Sequence, residues 1–184
     1  MRMPKRFHRA VAGIGLGLAL AAIGAAPARA GNYDFGLHDP TYLMVGVGGW
    51  EFDRDNLAKP ELDLVLRPAH HLWIIKPELG VEVAGDGDVV AFAGPVIEYY
   101  ITPHIVGTIS SSLATWFGNG FDLGSRLEFH SSGEFAYRFE DESRMGLAFF
   151  HTSNADITKR NPGSDSLVVT YAIPIRIPRP AAAQ

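Results

Sequence analysis

Strict alternation in two stretches constrains this chain more than any other feature. In 143–152, Met145, Leu147 and Phe149 share one parity while Gly146 and Ala148 take the other. In 165–177, Leu167, Val169, Tyr171, Ile173 and Ile175 alternate with Ser166, Val168, Thr170, Ala172 and Pro174. Side chains of an extended strand repeat every second residue, so each stretch shows a large apolar row on one face and a small or polar row on the other. Segments 41–52, 60–68, 72–83, 88–99, 101–110 and 124–139 also read as strands. Turn-forming clusters such as Gly85-Asp86-Gly87-Asp88, Gly118-Asn119-Gly120 and Glu140-Asp141-Glu142-Ser143 separate most of them. Eight strands with no crossover helices imply an all-β fold, an eight-stranded antiparallel closed sheet.

Many of these segments suit the roughly 9–11 residues that cross a bilayer at a tilt. Large apolar rows outside and small residues inside describe a transmembrane β-barrel; a soluble lipocalin-like barrel reverses the two faces. Periodicity alone does not choose between them. Export, the lack of cysteine and aromatic residues near segment ends (Trp50, Phe52, Trp73, Tyr99, Tyr100) favour the membrane.

Export is read from the first thirty residues. A basic patch (Arg2, Lys5, Arg6, Arg9), an apolar run from Ala10 to Ala26 and the end Ala28-Arg29-Ala30 follow the order of a secretory signal peptide. Cleavage is expected after Ala30, leaving a barrel over 31–177 and a short Pro/Ala-rich tail over 178–184. All 20 acidic residues but only 11 of the 16 Lys and Arg then remain, a formal charge of −9. Such a chain is a poor partner for nucleic acid, whose binding is dominated by cationic contacts to phosphate. With no cysteine, thiol catalysis and thiolate metal sites are excluded.

An even strand number places both chain ends on the periplasmic side of an outer membrane. The segment 143–152 then runs outward, so the loop 153–164 is external, as are 53–59, 84–87 and 111–123. Turns near 69–71, 100–102 and 140–142 are internal.

The external loop carries the chemistry. His151 and Ser153 continue the outward parity of Met145, Leu147 and Phe149, and Asp165 continues that of Leu167 and Val169 on the neighbouring strand. Polar groups at a lipid boundary are costly, which suggests a use for them. His151 would take the proton of Ser153 as that hydroxyl attacks an acyl carbonyl, with Asp165 orienting the imidazole. Asn154 and Asn161 offer oxyanion donors or shape the site, and Gly163 lets the loop pass closely. Lys159 and Arg160 are candidate contacts for phosphate groups. Against this stands a plain reading in which His-x-Ser is a polar strand end and Asn-Pro-Gly an ordinary turn.

Other residues carry less. His70-His71 fall at an internal turn without a metal-spacing carboxylate, and His104 reads as a lumen or interface residue. Asp86 and Asp88 read as a tight turn, and Ser110, Ser111, Ser112 and Thr115 as polar residues near a loop. Glu128, His130, Ser132 and Glu134, with Arg126 and Arg138, suggest an internal polar network, and a second active site there is a remoter reading. Trp50 and Trp116 read as membrane-boundary side chains.

The run Gly146-Leu147-Ala148-Phe149-Phe150-His151-Thr152-Ser153-Asn154-Ala155-Asp156-Ile157, followed by Asn161-Pro162-Gly163-Ser164-Asp165-Ser166-Leu167, resembles the lipid A 3-O-deacylase family of outer-membrane enzymes. The stretch from Leu127 to Phe139 is similar to the same family, and the resemblance extends over 41–177. It implies an eight-stranded outer-membrane barrel that hydrolyses the ester of the primary 3-hydroxyacyl chain of lipid A, with no metal and no cofactor. His151 matches the family's catalytic histidine, Ser153 its nucleophile, and Asn154 and Asn161 its oxyanion or geometry-setting asparagines. The chain departs from the family at Asp165, where glutamate is usual and the arm is one methylene longer. It departs again at its end, which runs through Ile177-Pro178-Arg179-Pro180 to Gln184 instead of stopping on an aromatic residue.

These readings together point to a serine esterase acting on lipid A of lipopolysaccharide, in contact with membrane lipid, with self-association as a homodimer left open. The alternative is a non-catalytic barrel that stabilises the envelope or binds lipid.

Overall fold

The computed structural model describes residues 35–52, 59–118, 120 and 122–176. The expected signal peptide over 1–30, its cleavage after Ala30 and the tail over 178–184 lie outside the described residues, as does nearly all of the external loop at 53–59. The strands are β1 (Thr41–Trp50), β2 (Lys59–Arg67), β3 (Lys76–Ala84), β4 (Val89–Thr102), β5 (Ile105–Phe117), β6 (Leu127–Arg138), β7 (Arg144–Ser153) and β8 (Ser164–Ile175). Each pairs antiparallel with its neighbours in sequence, and β8 pairs with β1 to close the barrel.

Several boundaries differ from expectation. β5 continues to Phe117, so most of the loop expected at 111–123 is strand. The reason is lumenal: the Ser110 and Ser132 hydroxyls lie 2.7 Å apart and Ser112 donates to Glu78 at 3.2 Å, so polar side chains that read as loop are satisfied inside a closed wall. β3 starts only at Lys76, because Leu72 and Ile75 exchange backbone bonds of 2.8 and 3.0 Å around Trp73, whose φ is 56°. The internal turn expected at 100–102 lies at 103–104 instead.

Inner and outer faces separate sharply. Outward rows, such as Leu62 and Leu64, Leu79, Val81 and Val83, and Met145, Leu147 and Phe149, are exposed. Inward rows bury charge: Arg67 meets Glu134 at 2.6 Å and Glu78 at 3.4 Å, Lys76 meets Glu98 at 2.6 Å, and Arg144 meets Glu98 at 2.7 Å and also pairs with Asp39. The cations of this network are therefore Arg67, Lys76 and Arg144. Arg126, expected there, is exposed, and Arg138 pairs with Glu142 at the internal turn. In water the hydrophobic effect selects the opposite arrangement; in a bilayer a closed barrel with apolar rows outside is stable because every wall backbone group is paired. The barrel is a transmembrane one.

Trp50 is also placed differently from expectation. It is 1% exposed and packs in the lumenal apolar cluster with Phe150 and Leu123, and Trp116 packs against the same cluster. Both lie on inward parity, so neither is a membrane-boundary side chain. Trp73 and Phe52 are exposed.

Candidate active site

The register between β7 and β8 sets His151 directly opposite Asp165. Opposed residues bring their Cβ atoms to about 4.5–5.5 Å, so even the short aspartate arm spans the gap. His151 Nδ1 lies 2.7 Å from Asp165 Oδ1, and His151 Nε2 lies 3.1 Å from Ser153 Oγ. A carboxylate only accepts, so the proton sits on Nδ1 and leaves Nε2 to accept from the Ser153 hydroxyl. The side chains of His151 and Asp165 are 31% and 27% exposed, half-buried on the outer face of the barrel near its rim.

Below them on the same face lie Phe149, Leu147 and Leu167, all exposed toward lipid. Phe52 stands edge-on to Phe149, with ring centres 6.2 Å apart, and its N–H donates to the Asp165 carbonyl at 3.3 Å. The sequence offered no sign of that contact, since Phe52 lies about a hundred residues from both partners.

The loop from 154 to 163 carries the remaining candidates. The Asn154 N–H donates to Asn161 Oδ1 at 3.0 Å. Asn154 Nδ2 faces the Leu123 carbonyl at 3.2 Å, Thr158 Oγ1 at 3.1 Å and the Arg160 carbonyl at 2.8 Å. Asn161 Nδ2 donates to Asp156 Oδ1 at 3.2 Å. Both side-chain amides are thus taken up by contacts within this loop and, for Asn154, with Leu123 between β5 and β6, and of the two roles open to them the contacts support shaping the site. Gly163 adopts φ +66°, and a Cβ there would sit 3.3 Å from His151 Cε1, pressing on the imidazole. Arg160 Nε is taken up by Asp122, at 3.1 Å to its carbonyl and 3.3 Å to Oδ2, while Lys159 is exposed.

The other candidates stay apart from this site. His71 Nδ1 is 3.1 Å from the Trp73 carbonyl at an internal turn, and His104 Nδ1 is 3.0 Å from the Arg138 carbonyl while stacking on Tyr137. Asp88 accepts from the Gly120 N–H at 2.9 Å, and Asp86 pairs with Lys59. Burial raises the Asp86 carboxyl, but the hydrogen bonds from Lys59 and the Asp88 amide outweigh it and hold it below the usual carboxylate range. Glu142 accepts from Arg138 at 2.8 Å at the opposite end of the barrel, far from His151. In the lumen Glu61, Asp63 and Glu82 bring ligand-type oxygens within 4.8 Å of one another, on the face of the wall opposite to Ser153.

Residues 73–174, more than half of the chain, match the family model described as Lipid A 3-O-deacylase (PagL). The chain belongs to the lipid A 3-O-deacylase family. Among solved structures it is similar to one described as the outer membrane enzyme PagL, with 22% identity and a TM-score of 0.58, covering 73% of this chain and 99% of that one. It is also similar to a de novo designed transmembrane β-barrel, with 10% identity and a TM-score of 0.50, covering 73% of this chain and 95% of that one. Both likenesses concern the fold. No curated protein gave a match. The family match spans β3 to β7 and nearly all of β8, and so includes both strands that carry the His151, Ser153 and Asp165 side chains.

Proposed function

We propose that this lipid A 3-O-deacylase of the outer membrane is a serine esterase in which Ser153 is the nucleophile, His151 the general base and Asp165 the orienting acid. The observation that carries the reading is the hydrogen-bonded series Asp165–His151–Ser153, at 2.7 and 3.1 Å, on the lipid-facing rim of the barrel. Ser153 Oγ attacks the carbonyl of the 3-O-linked acyl chain while its proton passes to His151 Nε2. The C–O bond to the sugar breaks, the sugar oxygen takes that proton, and the acyl group stays on Ser153. Water activated by the same imidazole then releases the 3-hydroxy fatty acid and regenerates the hydroxyl. Asp165 stabilises the imidazolium formed at each step.

The substrate's own placement supports the assignment. Its acyl chains lie in the leaflet beside Phe149, Leu147 and Leu167, and its ester lies near the headgroup level, where the triad sits. Of the two cations of this loop, the exposed Lys159 meets a phosphate group, while Arg160 is engaged through Nε by Asp122. Asn154, Asn161 and Gly163 serve by holding the loop in shape.

Mass spectrometry of lipid A from matched cells expressing wild type or Ser153→Ala tests the reading. Loss of the 3-O-acyl chain is expected only with wild type, both barrels being folded. An unchanged lipid A profile with folded wild type would favour the non-catalytic barrel; continued deacylation by Ser153→Ala would exclude the serine mechanism.

A further inference from the structure

The turn that follows Ser153 is strained. Ala155 and Asp156 both have positive φ, 52° and 63°, and the Ile157 N–H closes the turn on the Asn154 carbonyl at 3.0 Å. An L-residue with a Cβ enters that region only at an energetic cost, because the Cβ crowds the following carbonyl oxygen. Such a conformation persists only where its surroundings over-determine it.

Those surroundings come from another loop. Between β5 and β6, Asp122, Leu123 and Gly124 lie beside 154–163. Leu123 is 0% exposed, sunk into the barrel mouth with Trp50 and Phe150, and its carbonyl faces Asn154 Nδ2. The Thr158 hydroxyl accepts from Asn154 Nδ2 at 3.1 Å and stands 3.1 Å from the Gly124 carbonyl and 2.8 Å from the Arg160 carbonyl. Gly124 adopts φ +94°, and a Cβ there would fall 2.0 Å from the Arg160 carbonyl oxygen, so the two loop backbones are in contact where only glycine fits. The Asp122 side chain closes this corner twice, accepting from the Gly124 N–H at 2.8 Å and pairing with Arg160 at 3.3 Å.

We infer that residues 122–124, between β5 and β6, are the template that holds the strained turn after Ser153 in its reactive shape, with Thr158 and Gly124 as positioning residues for deacylation. The inference rests on Ser153 being the nucleophile. Leu123 anchors the template in the rigid lumen, and Thr158 transmits that anchor to Asn154, the residue next to Ser153. Neither Thr158 nor Gly124 touches the hydroxyl or the imidazole in any contact described, so both act on chemistry through geometry.

Steady-state kinetics of the full chain in mixed micelles of detergent and purified lipid A test this. Thr158→Val keeps the shape and removes the hydroxyl; since a misplacement of about 1 Å can cost about 10²-fold, kcat is expected to fall by about 10- to 100-fold with KM nearly unchanged. Thr158→Ser should restore kcat to within about threefold, because it returns the hydrogen bond. Gly124→Ala should lower kcat at least as far as Thr158→Val. The folded barrel in each variant is verified by its heat-modifiable gel mobility. Wild-type kcat in Thr158→Val, equal losses in the Val and Ser variants, or a loss carried by KM alone would overturn the inference. Should Gly124→Ala fail to fold, the Val and Ser pair still decides. A folded Ser153→Ala that stays active removes the underlying reading; an inactive Ser153→Ala beside an unimpaired Thr158→Val removes the template alone.

Discussion

Two imidazole–carboxylate pairs sit on neighbouring strands of this barrel and point in opposite directions. On β7, His151 meets Asp165 at 2.7 Å on the outer face, with the Ser153 hydroxyl at its second nitrogen. On β6, His130 meets Glu82 at 2.7 Å inside the lumen, stacked on Phe92 with ring centres 4.0 Å apart. Its Nδ1 has no partner among the described residues, and the ring is 1% exposed. The registers place His151 opposite Ser131 and His130 opposite Thr152, so the two rings are one step apart along the sheet, on opposite parities. Both bonds are 2.7 Å long, but the outer one joins Nδ1 to an aspartate and the inner one Nε2 to a glutamate, and the third group and the access differ as well. A base acts when its second nitrogen holds a nucleophile that substrate can reach. The outer pair meets that condition, and the lumenal pair is sealed by Phe92, Phe150 and the wall.

Breaking the outer pair should therefore be catastrophic for activity and nearly silent for the fold. Ser153→Ala is expected to lower kcat on the order of 10⁶-fold, the scale seen when a triad serine is removed from a soluble protease. Asp165→Asn keeps the shape but favours the wrong tautomer, and a loss on the order of 10⁴-fold is expected. Both are read from rates of fatty-acid release by purified enzyme. If Asp165→Asn retained most activity, the imidazole would be oriented by something else.

Asp165→Glu sharpens the comparison. The directly opposed register already lets the shorter arm reach His151, so the longer one has to fold back on itself. A change within about tenfold in kcat is expected, since the hydrogen bond survives with altered geometry. A loss as large as that of Asp165→Asn would show that this sheet is built for the shorter acid.

Breaking the inner pair should reverse the pattern. His130→Phe leaves Glu82 beside Glu61 and Asp63 with no imidazole, and removing one partner of a buried pair costs about 3–5 kcal/mol. The heat-modifiability transition should move to lower temperature while kcat of the folded enzyme stays within about threefold of wild type. A kcat loss comparable to that of Asp165→Asn would mean that the lumen takes part in the chemistry. The smallest effect is expected at Ala155→Gly. It relieves the positive φ, raising stability by about 1 kcal/mol or less, but frees the turn that follows Ser153. A modest fall in kcat accompanying that gain would mark the strain as useful.

The chain's alternation determined much by itself. Parity is a local property of extended backbone, so eight strands, apolar rows on one face and the shared face of His151 and Ser153 were legible from residue order. Parity did not say which face is wet. That answer came from closure, which buries Arg67, Lys76, Arg144 and their carboxylates on one side and leaves the apolar rows on the other. The inward placement of Trp50 and the strand character of 111–117 were hidden for the same reason, since the partners that satisfy them lie across the lumen. Register was equally non-local: that His151 faces Asp165, close enough for an aspartate where a glutamate was expected, follows from the pairing of β7 with β8. Least legible of all was the contact of Leu123 and Gly124 with the loop after Ser153, because hydrogen bonds between two irregular loops carry no periodicity for a sequence to display.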